Sequence, residues 1–191
     1  MTGRRLAAMA LLFTCPWLLL ACGPMTIKDT ATQSYIPIQG WVLELHQDIV
    51  IPAERTRVFF QEGRLLPWLN EYKPHCQLRV RLLSEQPQHV QAGRFSIDRV
   101  SGRLDEVVSN RRIQLAAAGD FVLADGDGGD GRMFYFYHLG LHSDAQPNVT
   151  YLVCAGAADE PALTDYPTLQ EIRASLGEYA TLELPADGGP H

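Results

Sequence analysis

Apolar and polar residues alternate with a period of two in several short stretches of the chain, which is the pattern of a strand with one buried face. The most regular stretch runs from Cys76 to Leu82, and another follows Gly40, from Trp41 to Ile51. Because successive side chains of a strand point to opposite faces, the first register places Cys76 among the interior residues. Further strands are predicted at 56–61, 94–100, 103–109, 113–115, 133–141 and 149–154.

Turn signals separate most of these strands, among them the dipeptide Ser101-Gly102. No helical pattern lies between the strands. Strands joined by short turns are typical of antiparallel sheets. The fold class that we expect is therefore mainly β, with a single antiparallel sandwich or barrel-like domain over residues 40–185.

One short C-terminal helix is predicted to accompany this domain. Thr168 and Glu171 have the spacing of a capping box, and Gly177 is a stop signal. Three apolar residues of the segment share one helix face, which we expect to pack on the sheet: Leu169, Ile172 and Leu176. Residues 186–191 are expected to form a frayed tail.

The N-terminal segment begins with two cations, Arg4 and Arg5, followed by an uncharged apolar run from Leu6 to Ala21. As a helix this run would be about 24 Å long, shorter than the roughly 30 Å hydrocarbon core of a bilayer. Pro16 would also interrupt the helix. A positive start followed by a short apolar run is the layout of a signal peptide, which is removed after export. A permanent membrane-spanning anchor is the alternative.

The apolar run ends in the motif Leu19-Leu20-Ala21-Cys22, which resembles the lipobox of bacterial lipoproteins, as found in small lipoproteins of the proteobacterial envelope. The resemblance implies that residues 1–21 are removed and that Cys22 carries acyl chains on its sulfur and its new amino group. Several acyl chains hold a protein firmly at a membrane, whereas one binds marginally. The next residue is glycine rather than the aspartate that favours inner-membrane retention in this family, which implies the periplasmic side of the outer membrane. An ordinary thiol at Cys22 is the alternative.

Residues 22–39 read as a polar, lipidated tether ahead of the domain. Removal of Arg4 and Arg5 from the 16 cationic residues leaves 14 against 22 anionic residues, a formal charge of −8. Such a surface argues against a nucleic-acid partner and against adsorption to anionic lipid through a basic patch. The membrane contact of the mature chain would therefore be the lipid on Cys22.

The four cysteines have separate expected fates. Cys15 leaves with the signal peptide and Cys22 is lipidated, so Cys76 and Cys154 remain in a compartment where disulfides persist. A disulfide between these two is our first hypothesis. Two separately buried thiols are the alternative, and a catalytic thiol is disfavoured because neither sequence context would depress its pKa.

Motifs for metal binding and catalysis are weak in this sequence. The acidic, glycine-rich segment 125–131 fails the spacing of an EF-hand loop, so a solvated hairpin is preferred. His138 and His142 lie in or beside a predicted strand, where four residues span about 13 Å, too far for one metal ion unless the chain bends at Gly140. No Gly-x-Ser-x-Gly or Ser-x-x-Lys motif occurs. We therefore predict no metal, no cofactor and no catalytic residue.

Aromatic residues occupy both faces of the predicted strand that begins at Met133. This strand is either central, with the core on one side and a helix or loop on the other, or one wall of a groove for a ligand or partner. Trp68 lies in an apolar loop, which must either pack on the domain or contact a partner. The candidate ligand or partner surface is therefore Trp68, Tyr135 and Tyr137.

Arginines on the polar faces of two predicted strands also have two interpretations. They are Arg55, Arg57, Arg79 and Arg81. If the two strands were neighbours, these side chains would form a basic stripe. Pairing with Glu44 and Asp48 on another strand is the simpler expectation.

Three function classes remain open. The first hypothesis is a non-enzymatic interaction or envelope-maintenance module that is tethered to the outer membrane and binds another envelope component. The second is a small-ligand or lipid-binding β domain, and an enzyme is third. A partner module predicts an exposed apolar patch or open sheet edge, a ligand binder predicts an enclosed aromatic cavity, and an enzyme predicts a cleft with titratable groups of perturbed pKa.

Overall fold

The computed structural model describes residues 25–106, 133–159 and 162–184. Within these ranges the chain forms twelve strands and one helix. The strands are β1 (Thr26–Asp29), β2 (Ser34–Pro37), β3 (Val42–Leu45), β4 (Ile49–Ile51), β5 (Arg57–Gln61), β6 (Arg64–Leu66), β7 (His75–Val80), β8 (Gln88–Val90), β9 (Gly93–Glu106), β10 (Met133–His142), β11 (Val149–Ala155) and β12 (Ala180–Glu183). Helix α1 (Leu169–Leu176) precedes β12.

Eight of these strands form one antiparallel sheet in the order β12-β3-β9-β10-β11-β7-β5-β6. The sheet is curled into a half-barrel. Two short two-stranded ladders, β1 with β2 and β4 with β8, complete the strands of the described part. This confirms the predicted fold class, which was mainly β and barrel-like with one short helix near the C-terminus.

The centre of the sheet is a ladder of ten residue pairs between β9 and β10. The sequence predicts two strands here, separated by a turn at Ser101-Gly102. The structure has one continuous strand instead, because Ser101 and Gly102 pair with His138 and Tyr137 within the ladder. The strand predicted at 113–115 lies outside the described residues.

The hydrophobic core lies against one face of the sheet, here called the core face. Alternate residues of the strands supply it, and Leu78 on β7 and Leu152 on β11 are both fully buried there. Cys76 and Cys154 lie on the same face, directly opposite each other on β7 and β11, with Cα atoms 4.0 Å apart. They form a disulfide, so the pairing expected from the cysteine count is present.

The segment after Cys22 differs from the predicted tether. β1 and β2 form a hairpin, and Ile27 and Ile38 are completely buried in the core. From Met25 onward this segment is therefore part of the folded domain. The hairpin was missed because each of its strands is only four residues long, too short for a periodic pattern to emerge.

Helix α1 packs with the hairpin over the core face. Its N-terminus has the predicted capping box, in which the Thr168 N–H donates to Glu171 Oε2 at 2.7 Å and the Glu171 N–H donates to Thr168 Oγ1 at 3.3 Å. The buried carboxylate of Asp29 accepts a hydrogen bond from Gln170, which joins the hairpin to the helix. The three apolar residues expected to face the sheet are buried: Leu169, Ile172 and Leu176.

Candidate functional site: an arginine-lined groove on the outer face of the sheet

The face of the sheet opposite the core, here called the outer face, carries a half-open groove of about 680 Å³. The groove crosses β9, β10, β11, β7 and β5, because alternate residues of these paired strands point to the same side. Its lining includes Arg57, Phe59, Trp68, Gln77, Arg79, Arg103, Phe136 and His138. We call it the outer groove.

Small and apolar residues form the floor of the outer groove. In the strand register Ala155 lies between Phe136 on β10 and His75 on β7. Ala155, Val153 and Phe136 are buried and pack together as a second, smaller apolar cluster. These buried residues form an apolar base beneath the side chains that line the groove.

The rim of the outer groove is the β6–β7 connection, residues 67–74, and a buried glutamine holds it in place. The Gln61 amide donates to the carbonyls of Asn70 at 2.8 Å and Lys73 at 3.2 Å, and it accepts from the Asn70 N–H at 3.0 Å. Trp68 stands on this rim with 72% of its surface exposed. A large apolar side chain is therefore offered to solvent at the edge of the groove.

Two arginines face each other across neighbouring strands in the outer groove. Arg57 and Arg79 are directly opposite in the β5–β7 register, and both donate to Gln77 Oε1, at 3.5 Å from Arg57 and 3.2 Å from Arg79. Within the described chain no carboxylate lies within 4.0 Å of either guanidinium. Burial, together with the Arg57 charge, lowers the pKa of Arg79. The pair therefore has no countercharge of its own among the described residues.

Two histidines also line the outer groove. Burial lowers the pKa of His138, and the charges of Arg79 and Arg103 lower it further. Burial likewise lowers the pKa of His75, whose Nδ1 lies 3.0 Å from the Lys73 carbonyl oxygen. A carbonyl oxygen can only accept, so Nδ1 carries the hydrogen. With pKa values below the usual 6.5, both imidazoles are neutral at pH 7.

The three predicted surface aromatics do not share one surface. Trp68 lies on the rim of the outer groove, whereas Tyr137 is buried on the core face, where its hydroxyl donates to the Thr26 carbonyl at 3.0 Å. Tyr166 covers both tyrosines, with ring centres 4.7 Å from Tyr135 and 4.6 Å from Tyr137. The period of two explains the difference, because the alternate residues Phe134, Phe136 and His138 line the groove instead.

The expected pairing of the strand arginines with Glu44 and Asp48 is wrong. Glu44 Oε2 accepts from Arg94 at 3.1 Å, and Asp48 accepts from the Ala92 N–H at 2.8 Å. The alternative, a basic stripe, fits the structure because β5 and β7 are neighbours. The sequence contained this signal, since Arg57 and Arg79 occupy polar positions of two strands, but strand order decides whether such positions meet.

Cations predominate in the outer groove although the chain is acidic, with a formal charge of −6. Among the described residues that line it, Glu71 is the one carboxylate. The cations of the lining are Arg55, Arg57, Arg79 and Arg103. This segregation of charge creates a local positive potential that attracts anionic groups.

A second depression of about 750 Å³ continues from Arg79 towards the far end of β10. It adds Arg81 and Arg99, together with the acidic Asp98. Since Arg79 lines both depressions, the basic surface extends beyond the outer groove.

The other residues that the sequence raised as candidates are not part of the outer groove. His142 Nε2 is 3.3 Å from Asp144, and within residues 25–106, 133–159 and 162–184 no group of three or more metal-ligating side chains occurs. The acidic segment 125–131 and Cys22 lie outside the described residues. In the described part of the chain, no helix combines the length and the apolar character that a membrane crossing requires.

Comparisons with models of known protein families, with curated proteins and with solved structures give no match to this chain.

Proposed function

We propose that the chain is an exported, non-enzymatic binding module of the bacterial envelope, lipid-anchored through Cys22 at the periplasmic side of the outer membrane, and that it binds an envelope partner in the outer groove. The observation that carries the proposal is the opposed pair of Arg57 and Arg79. Like charges directly opposite in a sheet destabilise it. An anionic group of a partner would offset the repulsion between the two arginines.

The shape and chemistry of the outer groove support a binding role. The groove is half-open, which suits a segment of a partner protein better than an enclosed small molecule. Among the described residues, neither His75 nor His138 hydrogen-bonds to a serine, threonine or cysteine, as a general base for a nucleophile would. We therefore favour a binding module over an enzyme.

The anchor is tested by acyl labelling of the Cys22→Ser variant in cells. We expect labelling to be lost and the protein to leave the membrane fraction, because the lipid is its membrane contact. Cys15→Ser is the matched control, since Cys15 would be removed with the signal peptide, and it should label like the parent chain. Unchanged labelling of Cys22→Ser contradicts the proposed anchor.

The binding surface is tested by a photocrosslinking amino acid in place of Trp68, on the rim of the outer groove. The control position is Tyr35, which is 67% exposed and lies on the β1–β2 hairpin, away from the groove. We expect a discrete crosslinked species from position 68 that is absent from position 35. Equal capture at both positions contradicts binding through the groove.

A further inference from the structure

Many hydrogen-bond donors of Arg57 and Arg79 have no acceptor among the described residues, and they indicate what the outer groove would bind. Two guanidiniums carry about ten N–H donors. Three of these donors point to one acceptor, Gln77 Oε1, which has two lone pairs. The three distances are 3.2 to 3.5 Å, longer than usual for N–H···O bonds. No other side-chain acceptor for the pair is found in the described part of the chain, so its remaining donors can serve a ligand.

A carboxylate fits between these two side chains. Its two oxygens accept parallel N–H bonds from a guanidinium, and its charge offsets the repulsion between Arg57 and Arg79. Arg79 is half-buried, so its attraction to an anion is screened less than at a free surface. The cluster of Arg57, Gln77 and Arg79 therefore has the chemistry of a carboxylate subsite.

Apolar surface adjoins this subsite. The Arg57 guanidinium carbon lies 5.4 Å from the ring centre of Phe59, Phe136 lines the floor, and Trp68 is exposed on the rim. A ligand that fills the outer groove therefore combines an anionic group with a neighbouring apolar group.

The dimensions favour an extended peptide. Four strand spacings of about 4.8 Å give a width of about 19 Å from β9 to β5, which about six extended residues span. The core and the Cys76–Cys154 disulfide lie beneath the floor, so the described groove has no chamber for acyl chains. The negative charge of the whole chain opposes a polyanion such as nucleic acid more strongly than a short peptide with one or two carboxylates.

We propose that the outer groove binds an acidic peptide segment of the envelope partner in extended conformation, with one carboxylate between Arg57 and Arg79 and an apolar side chain against Phe136 and Trp68. This inference rests on the proposed function and names the chemistry of its partner. The second depression beyond Arg79 would accommodate a further acidic residue near Arg81 and Arg99.

The test is selection of a displayed library of random hexapeptides on the disulfide-bonded chain from residue 22 onward. We expect enrichment of sequences that combine aspartate or glutamate with aromatic or branched residues. Affinities of the selected peptides are then measured by calorimetry, alongside versions with asparagine or glutamine at each acidic position. The amide versions should bind more than about tenfold more weakly, because they lose a charge-assisted bond.

Matched arginine variants locate the site. Arg57→Gln and Arg79→Gln should each weaken the selected peptides by more than about tenfold, whereas Arg173→Gln, which removes the same charge from the exposed surface of α1, should leave affinity unchanged. Thermal denaturation of each variant checks that it is folded. Equal binding of the acid and amide peptides, or of the parent chain and both groove variants, overturns the inference.

Two further outcomes also count against an acidic peptide. The first is a library without enrichment. The second is that no peptide binds, whereas phosphatidylglycerol vesicles bind the parent chain and not Arg57→Gln, because the ligand would then be a lipid surface. If crosslinking from position 68 nevertheless captures an envelope protein, the proposed function stands and only the peptide chemistry fails.

Discussion

At the scale of single residues, the opposed arginines of β5 and β7 are expected to lower the stability of the free protein. Arg57 and Arg79 repel each other in the free protein, and Gln77 is the acceptor that they share. We expect Arg57→Gln to raise the free energy of unfolding by about 0.2–1 kcal/mol, because it removes a like-charge cross-strand pair. Denaturant titration measures this change.

The control for this prediction is Arg64→Gln on β6. Arg64 contacts Glu62 at 3.3 Å in an exposed ion pair, so its loss should change stability little or lower it slightly. A less stable Arg57→Gln protein would mean that the arginine contributes to the fold through Phe59 rather than opposing it.

The outer-groove histidines predict a pH dependence of stability. The pKa values of His75 and His138 are lowered in the fold, so the unfolded chain binds more protons once the pH falls below about 6.5. The free energy of unfolding should therefore be constant above that pH and fall below it, by at most about 1.4 kcal/mol per pH unit for each histidine. Denaturant titrations at pH 7.5 and 5.5 measure the difference.

The chosen window separates the histidines from the carboxylates. Asp29 and Glu62 also have lowered pKa values, but their usual values of 3.8 and 4.5 place their titration at lower pH. The groups facing His138 are Arg79 on β7, Arg103 on β9 and Tyr151 on β11, and Glu71 faces His75. A chain with glutamine at both histidines should lose most of the pH dependence; an unchanged slope would exclude this cause.

At the scale of elements, one buried side chain determines the rim of the outer groove. Gln61 makes three hydrogen bonds to the backbone of residues 67–74. Gln61→Ala leaves the Asn70 N–H without its acceptor and removes one donor from each of the Asn70 and Lys73 carbonyls, and we expect a loss of about 1–3 kcal/mol in the free energy of unfolding. Gln39→Ala is the control, because Gln39 is exposed and makes one bond, to the Asp98 carbonyl. Equal effects of both substitutions would show that the Gln61 bonds are not specific to the rim.

Sequence periodicity predicted most of the strands that pack on the core and failed for the shortest elements. The single strand predicted from Trp41 to Ile51 is wrong, because β3 and β4 are separate strands in different sheets. β7 and the capped helix were predicted because alternation and capping are local signals. The N-terminal hairpin and the three-residue strands β6 and β8 are too short to show a period. The Ser101-Gly102 turn was predicted wrongly, because pairing with β10 overrides a weak local preference.

The site was predictable only in part, for a related reason. Trp68 was named as a candidate for a ligand or partner surface and does line the groove. Tyr135 and Tyr137 were assigned to the same surface, because the sequence does not reveal which face of β10 points outward. Arg57 and Arg79 are 22 positions apart in sequence, and their contact depends on the order β11-β7-β5. Strand order follows from long-range packing, which one sequence does not reveal.

At the scale of the whole molecule, the Cys76–Cys154 disulfide joins two neighbouring central strands. It closes a loop with a sequence separation of 78, for which chain entropy gives a stabilisation of about 4.5 kcal/mol. Replacement of both cysteines by alanine should lower the free energy of unfolding by up to that amount. Reducing agent should destabilise the parent chain and leave the double variant unchanged, and equal stability of the two oxidised chains would contradict the prediction.

The early start of the β1–β2 hairpin determines how a lipidated chain would be oriented. Only three peptide units separate Cys22 from Met25, a reach of about 11 Å. Met25 packs beside Gly102 and Tyr166 on the core face. With lipid on Cys22, the short connection would hold the domain close to the bilayer, with its core side towards the membrane. The outer groove, on the opposite face of the sheet, would then open away from the membrane into the periplasm, within reach of partners that are not themselves embedded in lipid.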